Sequence, residues 1–248
     1  MKLSFGVVAG AGALVALIVA YRRQRVDEDG ALRDATRLHT ERFTTAVSQL
    51  GDNAPAVQLG GVHALAGLAD DAPTRALRQT CIDVLCAYLR LPHTPDPGTG
   101  DPADRDEHHR YLALRTVRHT VLRRIGDHYR LPAGTHGSWQ GCNLDLSGIT
   151  IDATIDFTGA TFNEGLVNFH RATFSSGAVG FAGATFYGST MHFDRATFSG
   201  SNVGFDRATF SGSDVNFASA LGDAPAGLVP GAGESLPPGL VLPDAWMP

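Results

Sequence analysis

The chain has 248 residues, enough for one or two domains of ordinary size. Hydrophobic residues make up 43% and charged residues 18%, which excludes global disorder, and a net charge of −5 excludes a strongly basic nucleic-acid binder. Three cysteines, Cys81, Cys86 and Cys142, are too few and too scattered for a disulfide framework or a zinc knuckle.

The charge is unevenly spread. Residues 1–25 carry +4 and no acid, 26–137 carry −2, 138–221 carry −4 and 222–248 carry −3. Within the first segment, Leu3 to Tyr21 is a 19-residue uncharged run flanked by Lys2 and by Arg22, Arg23 and Arg25. As a helix it would measure about 28 Å, close to the hydrocarbon core of a bilayer. A cleaved signal peptide over residues 1–20 would instead give a secreted chain. The run is long for a signal sequence and three arginines follow it directly, so residues 1–25 read as a single-pass transmembrane anchor with a basic flank. Lipid would be met through residues 3–21, and the positive-inside rule places the bulk of the chain in the cytoplasm. Gly6 and Gly10 form a GxxxG pair through which two anchors could dimerise.

Residues 26–131 read as a small all-α module. Val26–Thr40 is polar, and Phe43, Val47 and Leu50 then recur at helical spacing up to Gly51. A second helix over Pro55–Ala69 carries Val57, Gly61, Leu65 and Leu68. A third over Pro73–Leu91 carries Leu77, Cys81, Val84, Leu85 and Tyr88. Cys81 and Cys86 stand five apart, which separates their faces, and Cys81 fits the core stripe. The Pro/Gly-rich stretch 92–102 has the composition of a loop. A fourth helix, opened by the Asp101–Pro102 cap, carries Tyr111, Leu114, Val117, Val121 and Ile125. Its arginines, among them Arg110, Arg115, Arg118 and Arg130, read as a solvated face. His108, His109, His119 and His128 form no HxxxH pair and read as surface residues, so no metal site is assigned.

From Ile155 the sequence follows a 12-residue repeat. Phe157, Phe169, Phe181, Phe193, Phe205 and Phe217 form one row, and Phe162, Phe174, Phe186, Phe198 and Phe210 a second. Two residues before each first-row Phe stands an aliphatic or Met, and two before each second-row Phe an Ala. An apolar pair separated by one outward residue makes a short strand, and Gly, Ser, Asn and Asp between pairs turn the chain. No unit can bury its own Phe, so units must stack. A 24-residue, four-sided coil fills its section better than a 12-residue one, and we expect about 24 residues per coil over residues 138–221. The eleven Phe would then be the structural core ladders.

The A-T-F and V-x-F alternation, preceded by Cys142-Asn143-Leu144-Asp145-Leu146-Ser147-Gly148-Ile149, resembles the pentapeptide-repeat family. The segments from Phe43, Leu59 and Val84 resemble the helical module of the family's actinobacterial membrane-anchored members. The resemblance implies a right-handed quadrilateral β-helix and no defined activity. The sequence departs from the plain pentapeptide motif by two extra residues in every second side.

The tail, 222–248, holds six Pro and five Gly and is expected to lack regular structure. Leu228, Val229, Leu240–Leu242 and Trp246 nonetheless give it apolar surface with which to cap the last coil near Phe217. An uncapped coil end would expose strand edges and invite association with a second copy. No phosphate loop, HExxH, GxSxG or Cys/His pair occurs, so no catalytic, cofactor-binding or metal residue is assigned. The expected function is a non-catalytic, membrane-anchored scaffold for a protein partner, with no direct nucleic-acid binding. The alternative is an acidic DNA mimic that engages a nucleic-acid enzyme such as gyrase, as the resemblance implies for some members. Arg171, Arg195 and Arg207 would interrupt its acidic surface.

Overall fold

The computed structural model describes residues 3–92, 96, 98, 105–231 and 235–247, with side chains described from residue 17 onward. The side chains of Gly6 and Gly10, most of the apolar N-terminal run, the Asp101–Pro102 cap and most of the 92–102 loop lie outside these residues. The chain divides into two compact units, Met1–Arg42 and Phe43–Pro248. In the first unit the chain is helical from Leu3, within a helix α1 that runs to Leu50, and Leu17, Ile18 and Val19 are exposed. Among the described residues no helix is long and apolar enough to cross a membrane.

The second unit begins with the last turns of α1 and continues through α2 (Pro55–Asp70), α3 (Arg75–Arg90) and α4 (Arg105–Arg130). Pro55 opens α2 at a position whose N–H would be unsatisfied anyway. Thr74 caps α3 by accepting the Leu77 N–H at 3.3 Å. Gly61 brings α2 against α1 backbone to backbone, since a Cβ there would lie 2.5 Å from the Leu50 nitrogen. The buried stripes differ from those read in the sequence. On α2 the core side is Val62, Leu65, Ala66 and Ala69 while Val57 is exposed. On α3 both Cys81 and Cys86 are buried, because that helix packs on α2 with one side and on the first coil of the β-region with another.

The β-region is a solenoid of four faces, each a parallel sheet. One face stacks Leu144–Asp145, Leu166–Asn168, Thr190–His192, Asp214–Asn216 and finally Leu240–Val241. The next two stack four and three strands from Thr150 and Ile155, and the last holds Thr161–Asn163, Thr185–Tyr187 and Thr209–Ser211. Thr161 pairs with Thr185 and Thr185 with Thr209, so the coil is a 24-residue unit, twice the repeat visible in the sequence. The first coil is one residue shorter, with Leu144 on Val167, and the last one longer, with Val215 on Leu240.

The interior is phenylalanine. At 24-residue spacing the rings form four stacks. Phe157, Phe181 and Phe205 lie 5.1 and 4.6 Å apart, and Phe169, Phe193 and Phe217 lie 4.9 and 4.3 Å apart. Phe162, Phe186 and Phe210 lie 5.0 Å apart throughout, and Phe174 and Phe198 4.7 Å apart. Ten of the eleven rings are buried, and Phe210, in the last coil, is half-buried. Turns follow each first-row Phe, whose carbonyl accepts the N–H of the Ala three residues on, as in Phe157–Ala160 at 3.0 Å. Where the residue before the Phe is Asp156, Asn168 or Asn216, its carboxylate or amide oxygen accepts the N–H two residues later. The third turn position is left-handed in five of the six turns, Ser219 after Phe217 being the exception. Gly159 and Gly183 take it without strain, whereas Arg171, Arg195 and Arg207 hold φ of 56–58° there.

The tail has regular structure, contrary to the expectation from its Pro and Gly content. Leu221–Gly222 still pairs with Thr197–Phe198, Ala226 bridges Gly204, and Leu240–Val241 adds a parallel strand on Val215–Asn216. Trp246, in a 3-10 turn over Asp244–Trp246, lies 5.8 Å from Phe217 and 5.7 Å from Phe198, its indole N–H donating to the Gly222 carbonyl. Burial of Leu228, Leu240 and Leu242 against the exposed coil end outweighs the weak local propensity.

Phe193 lies mid-stack and meets Phe181 and Phe205 edge-on as well. Phe193→Ala is expected to lower the unfolding free energy by about 3–5 kcal/mol. Chemical denaturation of the full chain measures it, and an unchanged midpoint would contradict the shared Phe core.

Candidate functional site

The first coil offers an open end, and α4 closes it. Gly126 makes the approach close: a Cβ there would lie 2.8 Å from the Asp156 carbonyl oxygen. One turn later the Tyr129 ring sits 5.3 Å from Phe162 and edge-on to Phe157, and its hydroxyl donates to the Cys142 carbonyl at 2.7 Å. Tyr129 thus continues the aromatic interior into the helices. Full burial pushes its hydroxyl pKa well above the ordinary value.

Arginines lock this junction from the outside. Arg130 donates to Asp156 at 2.8 Å, and Arg90 pairs with Asp145. Arg75 donates to the Gly141 carbonyl. Asp152 is the most heavily engaged acid. Arg115 Nε donates to it at 2.6 Å and Arg115 Nη2 to its backbone carbonyl at 3.1 Å, while His119 Nε2 lies at 2.9 Å. Burial alone would raise the Asp152 carboxyl, but the bonds from His119 and Arg115 outweigh it and hold the pKa far below the ordinary value. Arg115 and Arg130 thus remain partly solvent-exposed, as their mixed-charge helix suggests, while pairing with acids of the first coil.

His128 is buried, contrary to its reading as a surface residue. Its ring stacks on Trp139 with centroids 4.2 Å apart, Nδ1 lies 2.5 Å from the Arg124 carbonyl oxygen and Nε2 lies 3.2 Å from Asp70. With an acceptor facing each nitrogen, the surroundings favour the protonated ring. Burial opposes that charge, yet Asp70 and the Arg124 carbonyl together raise the pKa above its ordinary value. Asp70 also accepts the Trp139 indole N–H at 3.0 Å, so α2, α4 and the segment leading to the first coil meet on one carboxylate.

Beside the Asp152 cluster a cavity of about 720 Å³ opens between the N-terminal half of α4, the end of α3 and the first coil. Tyr88, Tyr111 and Leu114 form apolar wall, Gln58 and Asp152 contribute polar groups, and Arg118 lines its depth. Arg118 is only 8% exposed. None of the eleven ladder Phe lines this cavity. The sequence pattern that could have pointed here is the i, i+4 pair Arg115 and His119, two donors on one helix face awaiting a shared acceptor. Among the described residues no group of three or more His, Cys, Asp or Glu stands close enough to hold a metal. The three cysteines are buried and unlinked, and burial pushes the thiols up, Cys86 to about 12 and Cys81 to about 11, which disfavours the thiolate at neutral pH.

No family model, curated protein or solved structure matches this chain.

The raised His128 pKa makes a contribution to stability that is complete below the ordinary value of 6.5 and fades as pH rises through the folded-state value. The unfolding free energy is expected to fall as pH rises above 6.5, and this slope to flatten in Asp70→Asn. The depressed Asp152 works in the opposite sense, stabilising above its ordinary value of 3.8 and losing that effect in acid. Asp152→Asn is expected to cost about 2–3 kcal/mol at neutral pH, and the difference from wild type to shrink as pH falls. Denaturant titrations across pH measure both.

Proposed function

We propose that the protein is a non-catalytic interaction scaffold of the pentapeptide-repeat type, right-handed and quadrilateral. In this reading it is tethered to the cytoplasmic face of a membrane through residues 3–21 and presents its solenoid to a protein partner. The observation that carries the reading is the phenylalanine-filled interior. Stacks 4.3–5.1 Å apart leave no lumen for a substrate, so what the solenoid offers is its outer faces. Those faces are regular. Thr161, Thr185 and Thr209 form one ladder and Thr150, Thr173 and Thr197 another, each rung fixed by backbone pairing. A rigid array with constant spacing suits recognition of a partner surface and needs no folding on binding.

The tether rests on the uncharged run and its arginine flank. Self-association has two candidate places, Gly6 and Gly10 in the anchor and the strand Thr209–Ser211, beyond which no further strand is paired among the described residues. Mimicry of DNA has less support, because Arg171, Arg195 and Arg207 are all exposed among the acids of the solenoid.

The full chain is expected to stay with the membrane pellet after alkaline carbonate extraction, and crosslinking from intact membranes to join the solenoid to a protein. Release into the carbonate supernatant would contradict the tether. Crosslinks only between copies of the chain would contradict a separate partner.

A further inference from the structure

We infer that the cavity between α4, α3 and the first coil binds a small organic anion, a phosphate or carboxylate on an aromatic or apolar body, with Arg118 as its counter-ion. This goes beyond the scaffold reading and does not depend on the tether.

Arg118 is the reason. Its guanidinium carries five donors, yet among the described residues it makes no hydrogen bond and no ion pair. Arg118 as a residue is only 8% exposed, and its guanidinium opens on the cavity, where the charge of Asp152 favours it against burial but makes no hydrogen bond to it. The neighbouring groups are already engaged. Asp152 is held by Arg115 and His119, and the Tyr88 hydroxyl donates to Gln58 at 3.3 Å. Gln58 in turn donates to the Asp52 carbonyl. The remaining acids on the cavity, Asp106 and Glu107, are exposed on the first turn of α4 beside the exposed Arg110. Burial lowers the Arg118 pKa, but an arginine so far above neutrality stays charged. The site thus holds a permanent cation whose forked donor set opens on the cavity and makes no hydrogen bond among the described residues, the complement of a two-oxygen anion.

The walls specify the rest of the ligand. Tyr88, Tyr111 and Leu114 line it with aromatic and aliphatic surface. A volume of about 720 Å³ is that of a metabolite-sized site and far exceeds a lone phosphate. A planar or apolar body against the tyrosines with its anionic head at Arg118 satisfies both features.

Titration of the full-length protein with phenyl phosphate, benzoate and inorganic phosphate, read by thermal shift and equilibrium dialysis, tests this. Phenyl phosphate is expected to bind saturably, at one per chain, and to raise the melting temperature; inorganic phosphate should bind at least about tenfold more weakly. Arg118→Met is expected to lose at least about tenfold in phenyl phosphate affinity while its ligand-free melting temperature stays level or rises. Tyr111→Ala should weaken phenyl phosphate and leave inorganic phosphate unchanged, which keeps the test decisive if Arg118→Met folds poorly. Three results would each overturn the inference: no binding of phenyl phosphate or benzoate up to about 10 mM; equal affinity in wild type and Arg118→Met; or inorganic phosphate binding as tightly as phenyl phosphate.

Discussion

Everything in the second unit follows from one constraint: a phenylalanine ring in a single coil has nowhere to go except against the ring of the next coil. The 24-residue spacing sets Phe193 4.9 Å from Phe169 and 4.3 Å from Phe217. Each ring is the roof of one and the floor of another. A stack of that kind has no natural end, and its terminal rings would face water. The chain solves this twice, with different aromatics. Tyr129 from α4 closes the first coil, and Trp246 from the tail leans on Phe217 and Phe198 at the other end. The polar atom of each cap finds a backbone carbonyl, Cys142 for the tyrosine and Gly222 for the tryptophan, so neither cap buries an unsatisfied donor.

The helices are therefore part of the solenoid's energetics, and the charges show how the join is made. Arg130 to Asp156 and Arg115 to Asp152 set helix cations on two acids of the first coil. His128 adds a buried ring between Asp70 and Trp139 whose protonated form Asp70 favours. Each of these charges has its acceptor. Arg118, one turn from Arg115, differs: it lines the cavity with Asp152 but makes no hydrogen bond to it among the described residues.

What was legible in the sequence and what was not divides along repetition. The ladder from Phe157 to Phe217 announces itself because one physical requirement recurs at each turn of the coil. The 12-residue signal even contains the 24-residue coil, once the filling of the cross-section is considered. The cap at the far end was legible from the tail's apolar residues, and Trp246 does lie against Phe217, whereas Tyr129 occurs once and no periodicity marks it. The burial of Cys86 and His128 was equally hidden, because a helix pattern shows one apolar stripe, whereas α3 and α4 each touch two partners. The tail misled by composition: its Pro and Gly content argued against structure, while Leu240 and Val241 supply the two residues a parallel strand on Val215–Asn216 needs. For Arg118 a mixed run of charges on α4 gave no sign of which cation turns inward.

The difference between repeat and coil has a consequence for how such a chain can change length. The register Thr161–Thr185–Thr209 means that within the repeat a 24-residue step, give or take one residue at the end coils, returns the backbone to the same face. Inserting a whole coil would leave the helical end and the tryptophan end in their present rotational setting, merely one layer further apart. Inserting the 12-residue unit that the eye picks out would add half a circuit and exchange opposite faces beyond the insertion. The Trp246 segment would then meet a different side of the stack. The smallest modular increment compatible with both lids is thus two sequence repeats, and length in this architecture is quantised by its ends.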